Sequence, residues 1–258
     1  MHAQLGLLRQ LVHRELHDRY RGSVLGFTWA FVLPLAMVAV YTFVFGFVFR
    51  ARWAGAGDDP LAFSLFLYCG LVPYLFVADA LGRAPALLLG YASLVKKVAF
   101  PLPLLAVAAT AACAVHMLIG LAVLVLFAAL AMGHLPWLAL LAPLAVLPLV
   151  LAVFGVVLAL ASSGVFFRDL AQAVGVVLPV LMFLSPVFYP VDAVPEAFRP
   201  WMRANPLTDV IESLRMLTIH GTLPDISAWL LALTGSIVLC ALGWLWFRRL
   251  APGFADLL

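Results

Sequence analysis

The chain has 258 residues, of which 66% are apolar and only 10% charged, with a formal net charge of +3. Soluble domains carry about 25% charged residues. Here 15 basic and 12 acidic side chains are too few to clothe so much apolar material in water, which makes the bilayer the solvent. No basic run is longer than Lys96-Lys97, which leaves a nucleic-acid partner without an electrostatic footprint.

The chain opens on MHAQLGLLRQLVHREL, in which charge interrupts the apolar residues every few positions and no small-residue cleavage site follows. This does not read as a signal peptide, so the first span is expected to act as an uncleaved anchor. Over residues 4–21, Leu5, Leu8, Val12 and Leu16 recur at helical spacing, with Arg9, His13, Arg14, His17 and Arg21 on other faces. That pattern predicts an amphipathic helix lying in the membrane interface.

Six stretches then have the roughly 20 apolar residues that a helical span requires. In chain order they are Thr28–Phe49, Leu61–Gly82, Leu102–Met132, Pro136–Phe166, Ala171–Tyr189 and Ala228–Phe247. All are too long for barrel strands, and backbone polar groups in hydrocarbon must be satisfied internally, so an all-α integral membrane fold is predicted. Between spans, the loop Tyr91–Pro101 (YASLVKKVAFP) is basic at its centre, and a shorter loop carries Arg168 and Asp169. The segment Tyr189–Ser227 contains five prolines and a run, Pro206–Leu217, that alternates apolar and charged residues at helical period. Two short helices hinged near Asn205-Pro206 are expected there, on or in the outer leaflet.

Orientation follows from Lys and Arg near the span ends. With the N-terminus inside, the inner face carries Arg9, Arg14, Arg19, Arg21, Lys96, Lys97, Arg168, Arg248 and Arg249, and the outer face Arg50, Arg52, Arg199, Arg203 and Arg215. Nine against five, with Arg83 left aside at a span end, places both termini in the cytoplasm.

Chemistry is sparse. A phosphate-cradling loop needs glycines before a lysine and Ser or Thr after it, whereas Lys96-Lys97 lacks the glycines and is followed by Val98. Any ATP used to move cargo must be hydrolysed on another chain. His13 and His17 stand at i and i+4, but Glu15 is not adjacent to the first histidine as a metalloprotease motif demands, and they read as interfacial residues. Cys69, Cys113 and Cys240 each lie in an apolar stretch without a partner at metal or redox spacing, and no metal site is expected. Asp58-Asp59 reads as a loop partner for Arg50 and Arg52. Two intramembrane features stay open. His116 is either a neutral histidine bonded to a neighbouring helix or a proton relay, and Asp79 with Arg83, at i and i+4, is either a structural pair or part of a path. Tyr41, Phe45 and Phe49 recur every four residues along the first span with Trp29 near its inner end. They are either ordinary packing or an aromatic wall along which sugar faces slide.

The stretch Arg14–Gly46 (RELHDRYRGSVLGFTWAFVLPLAMVAVYTFVFG) resembles the polysaccharide export permeases of the type-2 ABC exporter class, such as the O-antigen and teichoic-acid exporters. The likeness continues in order through CGLVPYLFVADALGRA (Cys69–Ala84), SLVKKVAFP (Ser93–Pro101), FFRDL and SPVFYP (within Phe166–Pro190), NPLTDVIESLR (Asn205–Arg215) and the tail FRRLAPGFADLL. It implies one transmembrane permease domain over residues 1–258, with the interfacial helix at 4–21, six spans within 28–247 and short outer helices at 189–227. It also implies a homodimer served by two separate ATP-binding subunits, with ATP and magnesium held there and no cofactor on this chain. The implied cargo is an O-antigen-like glycan on a polyprenyl pyrophosphate, moved from the inner to the outer leaflet of a bacterial cytoplasmic membrane. By this resemblance Tyr91, Ser93, Leu94, Lys96 and Lys97 couple to the ATPase, with Arg168 and Asp169 as a second contact. The resemblance also implies that Arg14, Arg19 and Arg21 border the path by which the pyrophosphate lipid enters, and of the aromatics read from spacing Trp29, Tyr41 and Phe45 are the candidates to line a channel. A glycan hydroxyl costs several kcal/mol to strip of water in hydrocarbon, so the polymer needs a protein-lined path, and a dimer interface supplies one. The alternatives are an exporter of another lipid or drug on the same fold, or a membrane enzyme or scaffold of glycan assembly.

Overall fold

The computed structural model describes residues 2–20, 22–48, 60–91 and 101–254. Loop features expected at 49–59 and 92–100, and Arg21, lie outside the described residues. The chain is helical almost throughout, because a backbone facing hydrocarbon can satisfy its N–H and C=O groups only within itself. Helix α1 (His2–Tyr20) is followed by α2 (Trp29–Tyr41), entered through a 3₁₀ turn at Gly26–Thr28 and left through a π-helical stretch at Thr42–Val48. Next come α3 (Pro60–Arg83), a 3₁₀ turn at Ala84–Ala86 and the single turn α4 (Leu87–Gly90). Helix α5 (Pro103–Met132) crosses back, and Trp137–Leu141, α6 (Ala142–Ala145) and α7 (Leu147–Gly164) together return. The remainder is α8 (Leu170–Phe183), α9 (Arg199–Arg203), α10 (Pro206–Arg215) and α11 (Ile226–Leu250).

Among the described residues, five helical stretches are long and apolar enough to cross a bilayer: Gly26–Val44, Ala62–Gly90, Pro103–Met132, Trp137–Gly164 and Ile226–Gly253. The fifth stretch expected from the sequence, Ala171–Tyr189, is helical only as far as Phe183. At about 1.5 Å per residue its 14 residues reach roughly 21 Å, short of the roughly 30 Å hydrocarbon core. The cause is local. Pro179 already removes one backbone donor, and Ser185, standing before Pro186, is steered away from helical backbone. The turn that results is held by Ser185 Oγ donating to the Leu181 carbonyl at 2.7 Å and by Asn205 Nδ2 donating to Ser185 Oγ at 2.9 Å.

Helix α3 is the axis of the bundle, buried on nearly all sides from Phe63 to Val77 against α2, α5, α7, α8 and α10. Close packing elsewhere relies on absent side chains. A Cβ on Gly164 would overlap the Pro85 carbonyl, and one on Gly155 would come within 2.7 Å of Cys240 Cα, so α7 meets α11 and the turn after α3 at backbone distance. These contacts and the Phe166–Phe254 ring pair bring residues 84–91, 163–168 and 247–254 to one end of the molecule. The other end gathers Trp137–Ala145, α10 and the start of α11, where Trp229 Nε1 donates to the Leu144 carbonyl at 3.2 Å.

At that second end Arg215 is 1% exposed. Its guanidinium donates to Glu212 Oε1 at 2.7 Å, to the Pro186 carbonyl at 2.6 Å and to the Phe66 carbonyl at 3.3 Å. One side chain thereby ties α10 to α3 and to the turn after α8. Burial pulls the guanidinium's pKa down from its ordinary value and the Glu212 carboxylate opposes that pull. Asn205 caps α10, its Oδ1 accepting from Leu207 N at 3.0 Å.

Removing one partner of a buried ion pair costs about 3–5 kcal/mol, and each kcal/mol moves the midpoint of a chain this size by about 2–4 °C. Arg215→Leu is therefore expected to lower the thermal unfolding midpoint in detergent by roughly 10 °C. An unchanged midpoint would show that the clamp contributes nothing.

Candidate functional site

The apolar stripe of α1 does not face lipid alone. Leu11 is buried and Leu7, Leu8 and Val12 pack against the core of the bundle. Because a helix repeats every 3.6 residues, the next positions on that side are Glu15 and Arg19, and both make contacts inside the protein.

Arg19 reaches between α3 and α5. Its Nη2 donates to Asp79 Oδ2, its Nη1 lies 2.9 Å from His116 Nδ1, and Cys113 Sγ is 3.9 Å away. The second carboxylate oxygen, Asp79 Oδ1, stands 3.1 Å from Arg83 Nε, one turn further along α3. One carboxylate thus serves two guanidiniums. His116 Nδ1 is also 2.9 Å from the Ala112 carbonyl. The Ala112 carbonyl accepts only a proton carried on Nδ1, whereas the Arg19 guanidinium meets that nitrogen only through its lone pair, so the two contacts belong to different tautomers of the ring. With His116 neutral, the cluster carries one surplus positive charge.

A second tie joins α1 to Tyr91, at the end of α4. The phenol donates to Glu15 Oε1, and the Arg14 guanidinium sits 5.3 Å from the ring centroid. Burial first, and the Glu15 carboxylate second, push the Tyr91 phenol above its ordinary range, so it remains a neutral donor. The sign is that of an acid held in its protonated form, so the phenol's share of the tie is present below its ordinary pKa of about 10 and is lost as more alkaline pH removes the proton.

Two cavities flank the cluster, with volumes of about 310 and 430 Å³. The smaller has Arg19, Asp79, Arg83 and His116 at one end and Trp29, Leu33, Val72, Leu75 and Met117 along its length. The larger is lined by Glu15, Arg19, Arg83, Tyr91 and Thr110. Arg19, Arg83 and Cys113 border both.

The other sequence-predicted residues are scattered. Arg14 is exposed, with Nε 3.3 Å from Asp18 Oδ2. Trp29 is on the rim of the smaller cavity, whereas Tyr41 stands edge-on to Phe188 at 5.1 Å. Arg168 and Asp169 are exposed at the start of α8, at the same end as Tyr91. Ser93, Leu94, Lys96, Lys97 and the Phe45 side chain lie outside the described residues. His13 and His17 have ring centroids 6.4 Å apart on the exposed side of α1, and among the described residues no group of three or more potential ligands could hold a metal. Cys69, Cys113 and Cys240 are free thiols. The reading of Arg19 as a rim cation missed its engagement with Asp79, and His116 joins the cluster that the sequence reading had limited to Asp79 and Arg83.

The sequence pattern of the ABC-2 type transporter family matches residues 6–219. The chain is 29% identical over 254 residues to an O-antigen export system permease protein RfbA of Klebsiella pneumoniae, covering 98% of this chain and 95% of that one. It is 31% identical over 237 residues to the protein of the same name from Myxococcus xanthus, covering 91% of this chain and 88% of that one.

If the shared carboxylate holds α1 down, Asp79→Asn leaves two guanidiniums facing each other without a counter-charge. A hydrogen bond to a charged group contributes about 1.5–3 kcal/mol, and 1.4 kcal/mol is tenfold in an equilibrium. Trypsin is expected to cut after Arg14 or Arg19 about tenfold faster or more in the variant. Equal cleavage rates would mean that α1 is held by its apolar contacts alone.

Proposed function

The chain belongs to the ABC-2 type transporter family, and from that premise we propose that it is the membrane-spanning subunit of an ATP-driven polysaccharide exporter. Its cargo in this reading is an O-antigen-like glycan on a polyprenyl pyrophosphate, moved from the inner to the outer leaflet of a bacterial cytoplasmic membrane. The observation that carries the proposal is the near full-length likeness to permeases named for O-antigen export. The family assigns no ATPase site to the permease, so ATP and magnesium belong to a partner subunit. Two such subunits and a second copy of this chain complete the assembly.

Several structural features support the reading. Six crossings follow if the turn after α8 completes the traverse that its 14 helical residues begin. The residue range 1–258 then forms one permease domain, with α1 docked at its edge and α9 and α10 at the outer leaflet. Described residues Arg9, Arg14, Arg168, Arg248 and Arg249 fall towards the end that holds Tyr91, and Arg199, Arg203 and Arg215 towards the other, which favours both termini in the cytoplasm. Tyr91, Ser93, Leu94, Lys96 and Lys97 would then meet the ATPase, with Arg168 and Asp169 beside them. Arg14, which is exposed, and Arg21 would border the path by which a pyrophosphate head arrives. Trp29 and Phe45 remain candidates for contact with sugar rings, while Tyr41 is engaged with Phe188.

In cells that depend on this chain for surface glycan, its deletion should leave lipid-linked polymer on the cytoplasmic side, and restoring the chain with its ATPase should return polymer to the surface. Surface glycan at the original rate without the chain would refute the proposal. Lys96→Glu with Lys97→Glu should insert normally yet lose a few-fold in ATPase affinity, since exposed ion pairs contribute about 0–1 kcal/mol each and reversal adds repulsion. Lys96→Gln with Lys97→Gln separates lost attraction from a disturbed topology. Normal binding and export in the reversed protein would move the coupling element to α1 or to Arg168 and Asp169.

A further inference from the structure

We infer that residues 247–254 are a buttress that holds Phe167 and Arg168 out as a docking surface for the ATP-binding subunit, aromatic at its centre and basic at its rim. The identity of that partner rests on the export reading. The buttress itself rests on packing.

Residues 163–169 join α7 to α8 as a tight turn, in which the amides of Phe166 and Phe167 both donate to the Ser163 carbonyl, at 3.0 and 2.9 Å. Two other segments clamp this turn. On one side Gly164 lies at backbone distance from Pro85, in the 3₁₀ turn that leads to α4 and Tyr91. On the other side α11 runs to Leu250, and a 3₁₀ turn at Ala251–Gly253 folds the chain back. That return buries Phe254, 1% exposed, with its ring centroid 6.2 Å from that of Phe166 and 5.5 Å from that of Phe247. Gly253 completes the seat, since a Cβ there would stand 3.1 Å from the Phe166 ring. Trp246 adds a polar tie, its Nε1 donating to Ser163 Oγ at 2.9 Å. Phe166 is therefore fixed by a segment more than 80 residues further along the chain.

What the fixed turn presents is the second observation. Phe167 is 65% exposed, and Arg168 and Asp169 are exposed beside it. Arg248 and Arg249 are exposed where α11 reaches the buttress. None of these three arginines makes a hydrogen bond or ion pair among the described residues. Three cations against the single carboxylate of Asp169 leave the surface basic. Large aromatic and arginine side chains are the usual anchors of a protein interface, and an acidic rim on the partner would complement the arginines. Phe167 stands at the tip of the α7–α8 hairpin, followed by a charged pair, where the turn leaves the hydrocarbon. A protein partner on the aqueous side suits that place better than lipid does. A subunit gripping this surface would act on α7 and α8 together and, through Phe254, on α11.

The test uses the full chain, with its three cysteines replaced, in lipid nanodiscs, and the ATP-binding subunit that co-purifies with it. Phe167→Ala is expected to weaken binding of that subunit about tenfold. Phe254→Ala, although buried, should weaken it about as much, and the two together no more than either alone, because one residue acts through the other. Phe254→Leu, which refills the seat, should retain most of the affinity. Trp246→Phe removes the indole donor to Ser163 and leaves the Phe254 seat in place, so it carries the test if the alanine variant fails to fold, with a loss of about twofold or more expected. A spin label at Asp169→Cys should be open to a water-soluble nickel chelate and become shielded when the subunit is added. Unaltered affinity in Phe254→Ala, or in Trp246→Phe where the former does not fold, overturns the inference. So do losses that multiply to about a hundredfold in the double variant. Shielding of the label before the subunit is added assigns the surface to the membrane and overturns it as well. If no ATP-binding subunit co-purifies, the export reading and this inference fall together; a bound subunit indifferent to every substitution sinks this inference alone.

Discussion

Asp79 is a carboxylate among apolar helices, and it cannot be left there unpaired. An ionised group in such surroundings loses several kcal/mol of hydration unless a counter-charge and hydrogen bonds replace the water. Arg83 on the same helix supplies one partner through a single nitrogen, and Arg19 supplies the other from α1. The N-terminal helix is thereby committed to one place and one rotation. Leu11 turns into the core, Glu15 comes under Tyr91, and Arg14 comes over the Tyr91 ring. A helix that composition alone would leave in the interface is fastened at both its apolar stripe and its charged end.

The same constraint shapes the space around the cluster. A guanidinium on a long stem bridges a gap that apolar side chains would close, and the cavities on either side of Arg83 are what remains. Elsewhere the bundle closes tightly, through Gly155 and Gly164 where backbones touch, so open volume is concentrated where the charges are. Tyr91 links this region to the segment that follows it in sequence. In the proposed coupling, movement of that segment would reach α1 through the Glu15 bond.

Much of this was legible in the sequence and some was not. Hydropathy located five spanning helices, two of them to within two residues at both ends, because in hydrocarbon the apolar run and the helix are the same object. The Ala171–Tyr189 stretch was read too long, since hydropathy does not register that Pro179 and Ser185-Pro186 end a helix that remains apolar. Asn205 was placed at the hinge by the proline after it. The two inward-facing arginines were misread for one reason: each was counted by its charge instead of by its face. Arg19 follows Leu8, Val12 and Leu16 on the apolar side of α1, and Arg215 follows Leu207, Ile211 and Leu214 on the apolar side of α10. A cation on an apolar stripe signals a buried acceptor, and Asp79 and the carbonyls of Phe66 and Pro186 are those acceptors. In the proposed dimer, which aromatic faces a path would depend on how two copies meet, so one chain's sequence does not single the channel residues out.

The central claim is that Arg19, through Asp79, makes α1 part of the bundle. It is tested most directly by the distance between α1 and α5, measured by pulsed electron spin resonance between labels at His13→Cys and Leu130→Cys in a protein with Cys69, Cys113 and Cys240 replaced. Both sites are exposed, so the labels leave the packing intact. A single narrow distance distribution that broadens when Arg19→Gln is added is the expected result. A broad distribution in the unaltered chain, or a narrow one indifferent to Arg19→Gln, would contradict the account.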